Sequence, residues 1–408
     1  MGPDSLDGLR QVIRRIERAR PPRPAPAPVE RVVGGDLAQT EHGPIVMVRR
    51  EYPLGHRHGR WPLEAALAAP LPTLARVARV ETPLADPRRL LFLDSETTGL
   101  AGGTGTYPFL VGAGWLEDDR FVLVQLFMRD FDEEPALLAA LVPLLERSTA
   151  VVTFNGAGFD LPLLETRFIL ARRRWPGALA NLDLLRPCRR VWTSRYPDCR
   201  LATLEREVVG VARDEDVPGF MIPALYFDFL RSRRAEPLAR VFAHNRADVL
   251  SLVAILGWFG HALAAEAALD AEELAGLGRL WEPVDLERGL ACYRAALARG
   301  LAGERAHWAR LRLAWWEKRA ARWEAACALW GEASLHATFD PRPWEELAKF
   351  HEHRRRDLTS AHEAVTAALG LAEAAGAAPR VREGLAYRLA RLERRLARVG
   401  RAASDRRP

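Results

Sequence analysis

The run Leu90-Leu91-Phe92-Leu93-Asp94-Ser95-Glu96-Thr97-Thr98-Gly99-Leu100 sets four apolar residues directly ahead of two carboxylates spaced i, i+2. An apolar run bounded by a turn-prone Thr-Thr-Gly reads as a buried strand that ends in a turn. On a strand, the i, i+2 spacing sends both acidic side chains to one face. Burying two like charges side by side costs several kcal/mol unless something compensates them. A divalent cation is the usual compensation, and hard Mg²⁺ prefers carboxylate oxygens. The expectation is a metal-dependent site that opens at the end of a core strand.

The pattern around this strand is α/β. Strand-like runs occur at Leu90–Asp94, Phe109–Leu116 and Phe121–Met128, the last two separated by the hairpin signal Glu117-Asp118-Asp119-Arg120. A helix follows over Pro135–Arg147, with Leu137, Leu138, Leu141, Leu144 and Leu145 on one side, and then a buried strand over Ala150–Phe154. A second helix runs from Asp160 to about Arg173, and a third from about Leu238 to Trp258. Three meandering strands, a helix and a parallel strand describe the order of an RNase H-like α/β domain, a mixed sheet flanked by helices, although other mixed α/β folds share that order. Residues 31–85 show less: a short strand at Val46–Val48 and a short helix at Leu63–Ala69. The cluster His56-Arg57-His58 has no carboxylate or cysteine beside it and reads as a surface loop rather than a metal site.

Beyond residue 270 the strand pattern vanishes and the chain is rich in Ala, Leu, Trp and Arg. Ala291/Ala298, Ala326/Ala333 and Ala361/Ala368 are pairs with i, i+7 spacing that recur at a fixed interval. Trp308-x-x-Leu311 and Trp344-x-x-Leu347 stand ahead of the second and third pairs. A period near 34 residues with small residues on the second helix is the mark of tetratricopeptide-like hairpins. Leu385, Leu389, Leu392, Leu396 and Val399 lie on a final helix that would cap the stack.

Two further motifs complete the opening pair. Asn155-x-x-x-Phe159-Asp160 follows a strand and sets Asp160 at the start of a helix. His244 and Asp248 stand i, i+4 on one helical face. Taken together, Asp94, Glu96, Asp160 and Asp248, with His244 beside the last, resemble the DEDD family of 3′→5′ exonucleases. The histidine subfamily spaces its His and Asp five apart, whereas here they are four apart. That spacing, Leu100-Ala-Gly-Gly-Thr-Gly-Thr106 after the first motif and the helical tail resemble the YprB-like group, also called mitomycin repair factor B.

The resemblance implies phosphodiester hydrolysis with two bound ions, Mg²⁺ or Mn²⁺. Asp94 would bridge both; Glu96 and Asp248 would hold the ion that carries the nucleophile, and Asp160 the second. His244 would take the proton from the attacking water. Thr97, Leu100, Asn155 and Phe159 match positions that touch the terminal nucleotide. The substrate expected is DNA in preference to RNA, the setting DNA repair, with a helicase or other protein partner reached through the N-terminal helix or the repeats. Two other readings stay open: an exoribonuclease of the same fold, and a non-catalytic adaptor with a vestigial nuclease fold. Asp183, also at a strand end, reads as support for the site or the fold rather than a fifth ligand. The loop Gly102-Gly103-Thr104-Gly105 lacks the strand-to-helix context of a phosphate cradle and reads as a turn near the terminal nucleotide.

Linear boundaries follow: an amphipathic helix and proline-rich linker at 1–30, an extension packing on the nuclease domain at 31–85, the exonuclease domain at 86–265 and helical repeats at 270–400. The 408 residues carry 59 basic and 53 acidic side chains, a net charge of +6 compatible with a polyanionic partner. Only Lys318 and Lys349 are lysines, so the positive charge is nearly all arginine throughout the chain and points to no particular surface. Cys188, Cys199, Cys292 and Cys327 show no zinc spacing and read as thiols in a reducing compartment. No signal peptide or membrane-length apolar stretch is read, and a cytoplasmic location with no membrane partner is expected.

Overall fold

Buried apolar runs, rather than alternating ones, dominate the strands around Asp94, so that stretch must be covered on both faces. The computed structural model describes residues 26–99, 103–176, 179–213 and 216–404. By packing, the chain divides into two units that interleave along the sequence. One takes in the chain up to Leu67, Asp86–Asp183 and Glu205–Gly257. The other takes in Ala68–Ala85, Leu184–Leu204 and Trp258–Pro408. The division therefore runs differently from the linear boundaries read above. The N-terminal amphipathic helix and most of the proline linker lie outside the described residues.

The first unit is built on a seven-stranded mixed sheet. Its strands are β1 (Asp36–Thr40), β2 (Gly43–Pro53), β3 (Leu90–Thr97), β4 (Pro108–Leu116), β5 (Arg120–Phe127), β6 (Ala150–Thr153) and β7 (Ala180–Asp183), in the order β1-β2-β5-β4-β3-β6-β7. The β3-β4-β5 meander is antiparallel; β6 pairs parallel with β3, and β7 parallel with β6. This is the expected order, extended by β1 and β2. The short strand read at Val46–Val48 is in fact the buried part of eleven-residue β2, whose second half, with Arg49 and Glu51 exposed, hides its pairing with β5.

Helices α1 (Glu134–Glu146), α2 (Asp160–Leu170), α3 (Ile222–Ser232) and α4 (Leu238–Ala264, of which the part up to Gly257 belongs here) flank the sheet. Leu137, Leu141, Leu164, Phe168, Tyr226 and Phe242 from these helices share one core with Phe109, Val124 and Phe127 of the sheet. Burying each such side chain contributes roughly 1.5–3 kcal/mol. By length and composition α4 could cross a membrane, contrary to the sequence reading. Its apolar window is 78% buried inside the protein, as expected of a core helix. The apolar half after Asp248 packs inward, and that accounts for the composition.

Close approach of α4 to the sheet depends on one residue of β4. A Cβ on Gly112 would lie 2.3 Å from Asn245 Oδ1, so only glycine lets the helix seat there.

The second unit's C-terminal region is all-helical, as expected. Its helices are α5 (Ala271–Trp281), α6 (Leu286–Ala298), α7 (Gly303–Arg319), α8 (Trp323–Ser334), α9 (Pro341–Phe350), α10 (Leu358–Ala374) and α11 (Pro379–Ser404). They pair in succession, consistent with a repeat domain. Ala326/Ala333 and Ala361/Ala368 are buried as read, but Ala291 and Ala298 are exposed. In the first hairpin the buried small pair is Gly289 and Ala296. A Cβ on Gly289 would come 2.8 Å from the backbone nitrogen of Glu282, so the tightest contact needs glycine and shifts the register by two residues. Helix α11 buries Leu385 and Leu392 while Val399 is exposed. All four cysteines are free thiols.

Candidate active site

β3 delivers the opening pair. Asp94 and Glu96 are half-buried and Ser95 between them is buried. The strand's register with β4 shifts between Glu96 and Thr97, so the ladder breaks where the carboxylates end. Asp160 occupies the first turn of α2 and is buried, and the Ser95 hydroxyl donates to its Oδ1. From α4, Asn245 Nδ2 donates to Asp94 Oδ2 at 2.9 Å and to the Asp94 carbonyl at 3.2 Å. Gln125 Nε2 in turn donates to Asn245 Oδ1 at 2.9 Å and to the Phe242 carbonyl at 2.8 Å. Both amides are fully buried, so this pairing fixes the register of α4 against the strand that carries Asp94.

One turn on, ligand atoms of Glu96, His244 and Asp248 all lie within 4.8 Å of one another. His244 Nε2 is 3.5 Å from Asp248 Oδ2, and His244 Nδ1–H donates to Asp216 Oδ1 at 2.8 Å. Arg213 donates to Asp248 Oδ1 and Glu205 Oε1, and its Nη1 is 3.3 Å from Asp216 Oδ2. Ser251 also donates to Glu205 and accepts from His58 Nε2 at 2.8 Å. His58 is thus not in a surface loop. It lies in a two-stranded ribbon with Trp61–Pro62, where burial and Arg213 lower its pKa to about 4 and keep it neutral.

The electrostatics follow the crowding. Burial, and then Asp248, Glu96 and Asp160, raise the Asp94 pKa well above its ordinary value. Burial also raises Glu96 to about 8, against the pull of His244, and Asp160 to about 6, against its bond from Ser95. Burial works against a charged His244, but Asp248, Glu96 and Asp216 outweigh it and raise its pKa. Glu96 Oε1 is buried without a hydrogen-bond partner. An orphaned carboxylate oxygen among three other acidic groups fits a hard divalent cation.

The five residues Asp94, Glu96, Asp160, His244 and Asp248 therefore meet in one site. Thr97 is buried and its hydroxyl donates to the Gly99 carbonyl at 2.7 Å. Asn155 is exposed with φ +67°, and Phe159 is half-buried. Leu100 lies outside the described residues. Asp183 accepts from the backbone N–H groups of Asn155 at 2.8 Å and Ala157 at 3.3 Å, the supporting position expected of it. In the glycine-rich loop, Arg167 donates to the Thr104 carbonyl at 2.7 Å and lies 3.7 Å over the Tyr107 ring, which pins that turn. Arg213, Asp216, Glu205 and Asn245 were not found from sequence. Only Asn245, next to His244 in a recognised motif, carried any signal.

In this mixed sheet a strand ends in paired carboxylates, and acids from two helices complete a cluster that could hold a divalent cation. Residues 91–260 match the RNase_H superfamily, and this part of the chain is an RNase H-like domain. The chain is also 36% identical over 214 residues to the uncharacterized protein YprB of Bacillus subtilis (strain 168). That match covers 50% of this chain and 50% of YprB, so the chain spans about half the length of the curated relative it matches.

Proposed function

We propose that the protein is a metal-dependent 3′→5′ exonuclease that hydrolyses phosphodiester bonds of DNA and serves DNA repair. The observation that carries this reading is the convergence of Asp94, Glu96, Asp160 and Asp248, with Glu96 Oε1 buried and unpartnered. Two divalent ions, Mg²⁺ or Mn²⁺, would when bound supply an activated water and charge stabilisation at the leaving oxygen. Asp94, Glu96, Asp160 and Asp248 would hold them, and the raised pKa values of Asp94, Glu96 and Asp160 mean that loading releases protons. His244 acts as general base: Asp216 fixes its ring through Nδ1, leaving Nε2 on the side of Asp248 to take the proton of the attacking water. Arg213 holds Asp248 in place. Thr97, Leu100, Asn155 and Phe159 contact the terminal nucleotide. The helical region is tetratricopeptide-like and, with the N-terminal segment, would recruit a helicase or other protein partner. Four free thiols suit a cytoplasmic setting.

The test is digestion of matched 3′- and 5′-labelled DNA and RNA, single- and double-stranded, with Mg²⁺, Mn²⁺ or EDTA. Metal-dependent release of nucleotides from DNA 3′ ends is expected. Cleavage from 5′ ends, cleavage in EDTA, or a clear preference for RNA would each overturn the reading.

A further inference from the structure

Helix α7 carries Arg305, Trp308, Arg312, Trp315 and Arg319 at alternating steps of three and four residues. Those steps place all five on one helical face, with like residues about 10 Å apart. Large aromatic rings are normally drawn inward, yet Trp308 is 38% and Trp315 41% exposed. Guanidinium groups flank them: Arg279 lies 5.7 Å from the centre of Trp308, and Arg312 and Arg319 lie 5.1 and 4.8 Å from that of Trp315.

This face lines two hollows in the helical unit, of about 450 and 780 Å³, and Trp308 and Arg312 line both. Their other walls come from α5, α8, α9 and the helix Leu185–Trp192 with the turn after it. Along the two, Arg189, Arg190, Arg279, Arg305, Arg312, Lys318 and Arg342 outnumber Glu282, Glu304, Glu345 and Glu346. Arg312 is held by Glu282 and Arg305 by Glu272, whereas the exposed Arg189, Arg190 and Arg319 enter no ion pair among the described residues.

We propose that this Arg–Trp surface of the helical unit, with its two adjoining hollows, binds single-stranded DNA. Exposed indoles take the faces of bases, and the free guanidinium groups contact phosphates. A duplex hides its base faces within its own stack, so the rings favour unpaired strands. An acidic peptide would use the arginines but has no need of the interleaved rings. The choice of DNA over RNA rests on the exonuclease reading above.

The test measures fluorescence anisotropy of a labelled single-stranded DNA 20-mer with the full chain in EDTA, so that nothing is cleaved. The double variant Arg189→Gln/Arg190→Gln removes two exposed charges, and Trp315→Ala removes one ring. Circular dichroism melts check the fold of each. Wild type is expected to bind the single strand more tightly than the duplex. Trp315→Ala is expected to weaken binding about 5- to 100-fold. The double arginine variant is expected to lower the slope of log affinity against log salt by about 1.4. Hydrolysis of thymidine monophosphate p-nitrophenyl ester with Mn²⁺, a substrate too small to need this surface, is expected to persist in both variants.

Unchanged single-strand affinity in the folded variants, tighter binding of duplex or RNA, or competition by a poly-glutamate peptide but not by DNA would overturn the inference. DNA binding that depends on this surface, without ester hydrolysis, would support the inference and sink the nuclease assignment instead.

Discussion

Replacing Asp94 by Asn separates stability from activity, because the two respond in opposite directions. Ligand atoms of Glu96 and Asp248 lie within 4.8 Å. At that separation and an effective dielectric of about 20, two unit charges repel by about 3 kcal/mol. Asp94 shares this field, since Asp248, Glu96 and Asp160 all raise its pKa. An acid whose folded pKa lies above its unfolded value binds more protons when folded, so its contribution to stability is full below the unfolded value and falls as pH rises toward the folded one. For Asp94 that fall starts near the ordinary value of 3.8; for Glu96 it runs from 4.5 to about 8.

Asn at position 94 mimics the neutral acid and still accepts from Asn245. Without metal at pH 8, Asp94→Asn is expected to stabilise the protein by roughly 1–3 kcal/mol, a rise in Tm of about 2–10 °C. At pH 5 the gain is expected to be much smaller. Thermal melts in EDTA at both pH values measure it, and melts with Mg²⁺ should show a shift in wild type that the variant lacks. Exonuclease activity of the variant should be abolished. A variant that melts at or below wild type in EDTA at pH 8, with no pH dependence of the difference, would refute the account of a crowded acidic site.

His244→Gln is expected to lower turnover by about 10²–10⁴-fold while the Mg²⁺-induced shift in Tm persists; unchanged turnover would remove His244 from the chemistry. Asn245→Leu leaves Gln125 and Asp94 without their buried partner, and a loss of about 1–3 kcal/mol by urea unfolding is expected, with impaired metal binding by calorimetry. Gly112→Ala is expected to lower Tm and activity together, since its Cβ would displace the same Asn245. In the helical unit, fully buried Glu352 is paired with Arg388, Arg391 and Arg395 of α11, and Glu352→Gln should cost about 2–3 kcal/mol with nuclease activity unaffected.

The parts of the fold legible in the sequence were those where local pattern and burial coincide. β3 announced itself because an uninterrupted apolar run met two like charges, and α4 because His244 and Asp248 share a face. β2 showed only its buried middle, since the exposed half reads as loop. The first hairpin was misread because an alanine-rich chain offers many i, i+7 coincidences, while the true contact uses Gly289, which backbone clearance selects. Arg213 and Asp216 could not be found. Neither lies in a helix or strand, so no periodicity marks them, and their meaning depends on partners about 30 residues away.

Those two residues also bear on the shortened His–Asp spacing. On a helix, a residue four before Asp248 lies on the same face, so spacing alone could direct the imidazole along the helix surface rather than into the site. The ring's direction is instead set from outside the helix: Asp216 accepts a hydrogen bond from Nδ1–H, which turns Nε2 toward Asp248. Arg213 meanwhile neutralises part of the charge on Asp248, the residue the ring faces. A histidine held this way depends less on its place along the helix than on the segment that anchors it. Asp216→Asn is therefore expected to lower turnover and the pH at which His244 titrates by NMR, with the Mg²⁺-induced shift in Tm retained. A titration unmoved by that change would mean that the helix alone orients the ring.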